Sequence, residues 1–275
     1  MRTRLPDLEE NVPLGPGHRF PACQITTLVT ATAVLRLVAD GTLALDDPVN
    51  GHLRSLRLAD DTITVRELLA HTGGIDSPAS LSLWADSAAD AARVLGPVVG
   101  CSGPHGEFAY SDGGYAVLGQ LITDLTGASF AQTATRLILE PLGMADSWFP
   151  ARAPVPPDAA CGYRLAEAGS LVRESPQVFA LQSAGGLWST GPDLVRFGSG
   201  WRTLLPAELA EEALRPQVPQ RDVAEETGLG WGLRLPMDAV GQAGAGPGFA
   251  ASLIMRPSTG RTIVVLTNRL FTSWR

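Results

Sequence analysis

The stretch that decides the fold is "FPACQITTLVTATAVLRLVADGTLALDDPV", residues 20–49. From Thr26 to Asp40 the apolar residues Val29, Ala33, Val34, Leu37 and Val38 recur at helical spacing, and Gly41 closes the run. The spacing predicts a helix from Thr26 to Asp40. Arg36 and Asp40 interrupt the longest apolar region, around residues 28–45, so it is too short and too polar to span a bilayer.

Outward from this helix, "TVRELLAHTGG" opens with a capping box, Thr64 and Glu67, and predicts a short helix ending near His71. Residues 82–96 read as another helix. "GGYAVLGQLITDLTG" and "SFAQTATRLILEPLGM" predict a helix pair, the second opened by Ser129 with Gln132 and stopped before Pro141. Residues 150–180 are Pro-rich and irregular, and "GPDLVRFGSGWRTLL" returns to helix. The last quarter changes character: "LGWGLRLP", "FAASLIMRP" and "RTIVVLTN" are strand-like, with "STGR" as a hairpin turn. A helical body followed by an antiparallel sheet is an α+β pattern. Residues 1–19 read as a tail or a covering segment.

Composition narrows the chemistry. All 21 basic residues are arginine, so no lysine is present to serve as Schiff-base amine, general base or phosphate clamp. A net charge of −7 and a pI near 5.1, with no clustered basic face, argue against a nucleic-acid partner. "MRTRLPDLEE" turns acidic where a signal peptide needs its apolar core, which points to a cytoplasmic protein. Cys23, Cys101 and Cys161 are too few for a disulfide framework, and Cys101 with His105 lacks a second ligand pair for a metal. Neither metal nor cofactor is expected.

Seven segments in order carry a resemblance: "VLRLVADGTLALDDPV", "TVRELLAHTGGI", "FAYSDGGYAVLGQLI", "LILEPLGMADSWF", "SAGGLWSTGPDLVRF", "GLGW" and "GFAASLIMRPSTGRTIVVLTN". Together, over about residues 20–270, the chain resembles the serine β-lactamase and penicillin-binding-protein superfamily. The similar branch contains class C β-lactamases, D-alanyl-D-alanine peptidases, esterases and acyltransferases. The resemblance implies one two-lobed α+β domain over residues 1–275, with a mainly helical lobe at 24–220. A reduced sheet lobe of 221–275, with 1–23, would close a cleft for a small molecule. Fewer residues precede the first helix than in that family, so the sheet is expected to be small. A partner subunit, as in a homodimer, or the N-terminal tail would cover its edge.

The family's chemistry is acyl transfer through a serine in S-x-x-K. Those positions fall on Gln24 and Thr27. Gln24 cannot form an acyl-enzyme, and no serine occurs in residues 1–54 to take its place. The Y-x-N motif becomes Tyr110, Ser111 and Asp112, which keeps the tyrosine and turns an amide into a carboxyl group. The K-T-G or H-x-G strand becomes Gln242, Ala243 and Gly244. The resemblance places the oxyanion hole at the main-chain N–H groups of Gln24 and Ala245, which do not depend on side-chain identity.

These residues leave several readings open. Tyr110 and Asp112 can form an acid/base pair facing an oxyanion hole, or be an inherited wall residue and a solvated turn residue. Gln24 and Gln242, with Thr27, Gly244 and Ala245, can hold a polar ligand, or have drifted after activity was lost. Cys23 precedes the nucleophile position at a helix N-terminus, which would lower its pKa, or is a small core residue. His105 belongs at the pocket rim, while His71 and Ser183 read as structural. The leading functional reading is a repurposed enzyme using non-covalent acid/base and oxyanion catalysis on a carbonyl compound, as a cyclase, isomerase or lyase would. The alternatives are a ligand- or partner-binding protein without catalysis, and a hydrolase or acyltransferase using Cys23.

Overall fold

A computed structural model describes residues 13–78, 83–89, 91–153, 159–166, 170–175, 177–219 and 226–269. Helix α1 (Thr26–Ala39) follows a single 3-10 turn, Cys23–Ile25. Its Leu28, Val29, Ala31, Ala33, Val34 and Leu35 are all buried, so the helix is enclosed nearly all round and forms the centre of the body. Its threonines are buried too, and each finds a partner: Thr30 donates to the Ser183 carbonyl at 2.6 Å, and Thr26 accepts from the Leu187 N–H at 3.1 Å. Satisfying those hydroxyls removes the penalty that buried polar groups otherwise carry.

Around α1 lie α2 (Val65–Leu69), α3 (Asp112–Thr126), α4 (Phe130–Ala134), α5 (Gln182–Gly185), α6 (Gly191–Gly200) and α7 (Ala207–Ala213). Thr64 and Glu67 form the expected capping box on α2, as do Ser129 and Gln132 on α4. After α4 the chain widens into a π-type turn, Thr135–Leu139, ahead of Pro141. Gly127 ends α3 in the left-handed region (φ 69°), where a side chain would be strained. The helix expected over residues 82–96 is not formed as read. Trp84–Ala85 is a short strand paired with Val178–Phe179, and helix is confined to Ala91–Leu95. Packing of the Trp84 ring edge-on against Phe179, with centroids 5.4 Å apart, outweighs local helical periodicity there.

The sheet is an antiparallel meander of β1 (Val218–Pro219), β2 (Glu226–Thr227), β3 (Gly232–Arg234), β4 (Ala239–Gly246), β5 (Phe249–Arg256) and β6 (Arg261–Thr267). Its first strand begins at Val218, three residues before the expected lobe boundary at 221. Phe20–Pro21 pairs with Trp188–Ser189 instead of joining this sheet. Residues 1–12 of the expected covering segment lie outside the described residues. In β5 the alternate residues Ala251, Leu253 and Met255 are buried against the helical body, while Ser252 and Ile254 face outward. The β3 ladder reaches only to Gly241, so residues 242–246 of β4 form a free edge lying against the 3-10 turn that carries Gln24. The two-lobed β-lactamase/penicillin-binding-protein-like α+β architecture is therefore present, and among the described residues no helix is long and apolar enough to cross a membrane.

Candidate functional site

Strand alternation positions the site. Gln242 pairs with the buried Leu253, and Gly244 with the buried Ala251, so Gln242, Gly244 and Gly246 form the row of β4 that faces the helical body. Gly244 lies directly on Gln24: a Cβ there would collide with the Gln24 Oε1 and backbone nitrogen. Gly246 lies on the Trp84 ring in the same way. Only glycine permits this approach of strand to turn.

The decisive contact is made by Gln24, at the position that the resemblance assigns to the nucleophile. Gln24 is 8% exposed, and its Oε1 accepts a hydrogen bond from the Ala245 N–H at 3.0 Å. Ala245 is the residue whose N–H the resemblance assigns to the oxyanion hole. The carboxamide oxygen of Gln24 therefore occupies that donor. Thr27 is fully buried and donates to the Gln24 carbonyl at 2.8 Å, which fixes the turn and leaves its hydroxyl engaged.

Cys23 does not fit the role of a nucleophile. Its backbone has φ 48°, an uncommon conformation for a non-glycine residue, and its side chain is completely buried. Burial pushes the thiol up to about 12, against the lowering expected from a helix terminus. Its Sγ donates to the Pro21 carbonyl at 3.6 Å. Cys23 is a protonated core residue at neutral pH.

Tyr110 and Asp112 do meet: the phenol donates to Asp112 Oδ1 at 2.9 Å. Asp112 is 1% exposed, in the first turn of α3, so it is not a solvated turn residue. Tyr110 keeps 40% of its surface exposed, yet desolvation at its hydroxyl, followed by the adjacent Asp112 charge, raises its pKa well above the ordinary phenol value. It is a hydrogen-bond donor at neutral pH and not a tyrosinate base.

His71 stands behind this pair. Its ring lies between Tyr110 and Tyr115, with centroids 4.5 Å and 4.7 Å away. Its Nδ1 accepts from the Ser111 N–H at 3.2 Å, the backbone role expected for it. Burial depresses its pKa to about 3, so the ring is neutral. Its Nε2 is buried and has no hydrogen-bond partner. His71 orders the tyrosine and the start of α3.

The remaining expected residues lie elsewhere. Gln242 Oε1 turns back to accept from the Ala243 N–H at 3.0 Å, so it does not share a hydrogen bond with Gln24. His105 pairs with Glu67 at 2.8 Å, on the capping carboxylate of α2. Ser183 is buried and its carbonyl receives Thr30, as a structural residue would. Among the described residues no group of three His, Cys, Asp or Glu side chains is placed to hold a metal ion. Trp84, which lies against Gly246 at the end of β4, was not anticipated, because its segment carries a helical rather than a strand pattern.

Comparison with known proteins agrees with this architecture. The family model described as Beta-lactamase matches residues 3–274. Among curated relatives, Protein flp of Staphylococcus aureus is 29% identical over 170 residues, 58% of this chain, and the match spans only 34% of that protein. Among solved structures, a penicillin-binding protein from Bacillus halodurans superposes with a TM-score of 0.83 at 23% identity, covering 96% of this chain and 85% of that one. SurE with D-Leu superposes with a TM-score of 0.72 at 26% identity, covering 96% of this chain and 63% of that one.

Proposed function

The chain belongs to the β-lactamase family, and from that premise we propose that it is a non-acylating member which binds a small carbonyl compound without hydrolysing it. The observation that carries this reading is the 3.0 Å hydrogen bond from the Ala245 N–H to the Gln24 side chain. A hydrolase of this family needs a nucleophile and an empty oxyanion hole. Here one residue removes the first and fills the second. The thiol at Cys23 offers no replacement, being buried and protonated.

The ligand that suits such a site is one whose own oxygen displaces the Gln24 carboxamide from Ala245. An amino-acid amide meets that requirement, and SurE, similar over most of this chain, is described with D-Leu. Titration calorimetry with D-leucinamide, combined with chromatographic assay for leucine, tests the proposal. Saturable binding with no leucine released is the expected result. Release of leucine at a catalytic rate would overturn it.

A second reading rests on the Tyr110–Asp112 hydrogen bond. If Gln24 swings aside, the Tyr110 O–H can turn from Asp112 to hydrogen-bond a bound carbonyl while the freed Asp112 carboxylate accepts a proton from the carbon beside that carbonyl, giving an enolate held by the phenol, which is non-covalent acid/base catalysis. Under that reading Tyr110→Phe and Asp112→Asn each abolish turnover of the substrate. Under the leading reading there is no turnover to abolish.

A further inference from the structure

We propose that the free edge of β6 is a self-association site, on which β6 of a second copy of this chain pairs antiparallel with its centre at Val264. The inference is independent of the ligand reading above, since β6 lies across the sheet from Gln24.

Strand β6 ends the sheet: among the described residues the order runs β6-β5-β4-β3-β2-β1, with no further strand paired to β6; just past its end the Tyr163 N–H donates to the Asn268 carbonyl. An open edge normally carries a proline, a bulge or an inward charge that blocks pairing. "RTIVVLT", residues 261–267, carries only Arg261, at one end. Seven residues at strand rise give an edge about 24 Å long.

The exposed face of the same strand is apolar. Ile263 is 48% and Val265 43% exposed. Their β5 partners across the ladder are Ile254 and Ser252, and those line a concavity of about 260 Å³ that runs on to Gly241 and Ala243. The opposite row, Thr262, Val264 and Leu266, is turned toward the body, where Thr262 shares a hydrogen bond with Ser199 of α6. The unpartnered surface is thus one edge and one face of a single strand.

Charge and register choose the occupant. With Val264 opposite its own copy, Ile263 faces Val265 of the second copy, and Thr262 faces Leu266. Arg261 then faces Thr267. All seven residues pair, apolar meets apolar on the exposed face, and no arginine opposes another. Sliding the register to centre on Val265 would set Arg261 against Arg269. The antiparallel sense also sends the Arg256–Arg261 ends of the two sheets to opposite ends of the joint. A strand that is complementary to itself in sequence and charge is suited to a two-fold partner.

Light scattering coupled to size exclusion tests this directly. The wild-type chain is expected at twice 28.9 kDa. Ile263→Lys/Val265→Lys and Ile263→Glu/Val265→Glu each place like charges opposite one another and are expected at half the wild-type mass. Mixing the two restores the dimer mass, because the register sets lysine against glutamate. Ile263→Lys/Val265→Glu, complementary to itself, stays dimeric and shows that the substitutions do not act by unfolding. A monomeric wild-type chain, doubly charged variants that remain dimeric, or a mixture that does not associate would each overturn the proposal.

Discussion

Replacing Gln24 by alanine separates the two things that this side chain does. The substitution keeps the Cβ and removes the carboxamide, so the hydrogen bond to Ala245 is lost. An intramolecular hydrogen bond of this kind contributes about 1 kcal/mol net. Ala245 lies on an exposed, free edge of β4, so water can reach its N–H and the larger penalty for an orphaned buried donor does not apply. The expected loss of about 1 kcal/mol corresponds to a fall of roughly 2–4 °C in Tm for a chain of this size. Binding should move the other way. On the proposed function a carbonyl ligand must first displace Gln24 in the wild-type protein, and in the variant that competitor is gone. Recovering the same ~1 kcal/mol tightens Kd about five-fold. Differential scanning fluorimetry and calorimetry with D-leucinamide read both quantities on one preparation. A lower Tm with unchanged or weaker affinity would refute the claim that Gln24 occupies the ligand's place.

Other consequences follow from the same geometry. Gly244→Ala puts a methyl group into Gln24, and overpacking of this kind costs about 1–3 kcal/mol, read as a lower urea midpoint with an unchanged slope. A Gly244→Ala protein as stable as wild type would show that β4 and the Gln24 turn do not lie in contact. His71 is neutral in the fold, with its pKa depressed to about 3, so the unfolded chain binds the extra proton between that value and the ordinary histidine range. Its contribution to stability is complete above about pH 6.5 and is lost as pH falls, by up to ~1.4 kcal/mol per unit. His71→Gln should flatten the pH dependence of the urea midpoint over that window, and an unchanged slope would contradict it. Cys23 should resist alkylation in the native protein at pH 8 and react on unfolding, as followed by peptide mapping, since its thiol is buried and pushed up to about 12. Native-state labelling of Cys23 ahead of the partly exposed Cys101 would show the opposite environment.

How much of this was legible in sequence depends on the range of the physics. Capping boxes at Thr64–Glu67 and Ser129–Gln132 act over three residues, so they read directly and are formed. The α1 periodicity and the β5–β6 hairpin are equally local, and both elements appear where their patterns place them. The frame of the site was readable for a different reason: a resemblance spread over most of the chain fixes which positions meet. What those positions do on meeting was not readable. The Gln24–Ala245 bond joins residues 221 positions apart and depends on one rotamer. For Cys23 the sequence left open a thiol lowered by a helix end or a small core residue, and complete burial, which raises the thiol, decides for the second. Trp84 was misplaced on a helix because its neighbours carry helical spacing, whereas Phe179 and Gly246 hold it on a strand. For Asp112 the sequence left open an acid/base carboxyl group or a solvated turn residue, and burial at the start of α3 removes the second.

The most direct test of the central claim is intact-protein mass spectrometry after incubation with a penicillin and, separately, with an activated acyl thioester. On the proposed reading, in which Gln24 stands where the family's nucleophile would, with its carboxamide on the Ala245 N–H and Cys23 buried as a thiol, the mass should remain that of the unmodified chain with both reagents. A stoichiometric acyl adduct, mapped by digestion to any residue of the cleft, would show that covalent chemistry survives and would contradict the account.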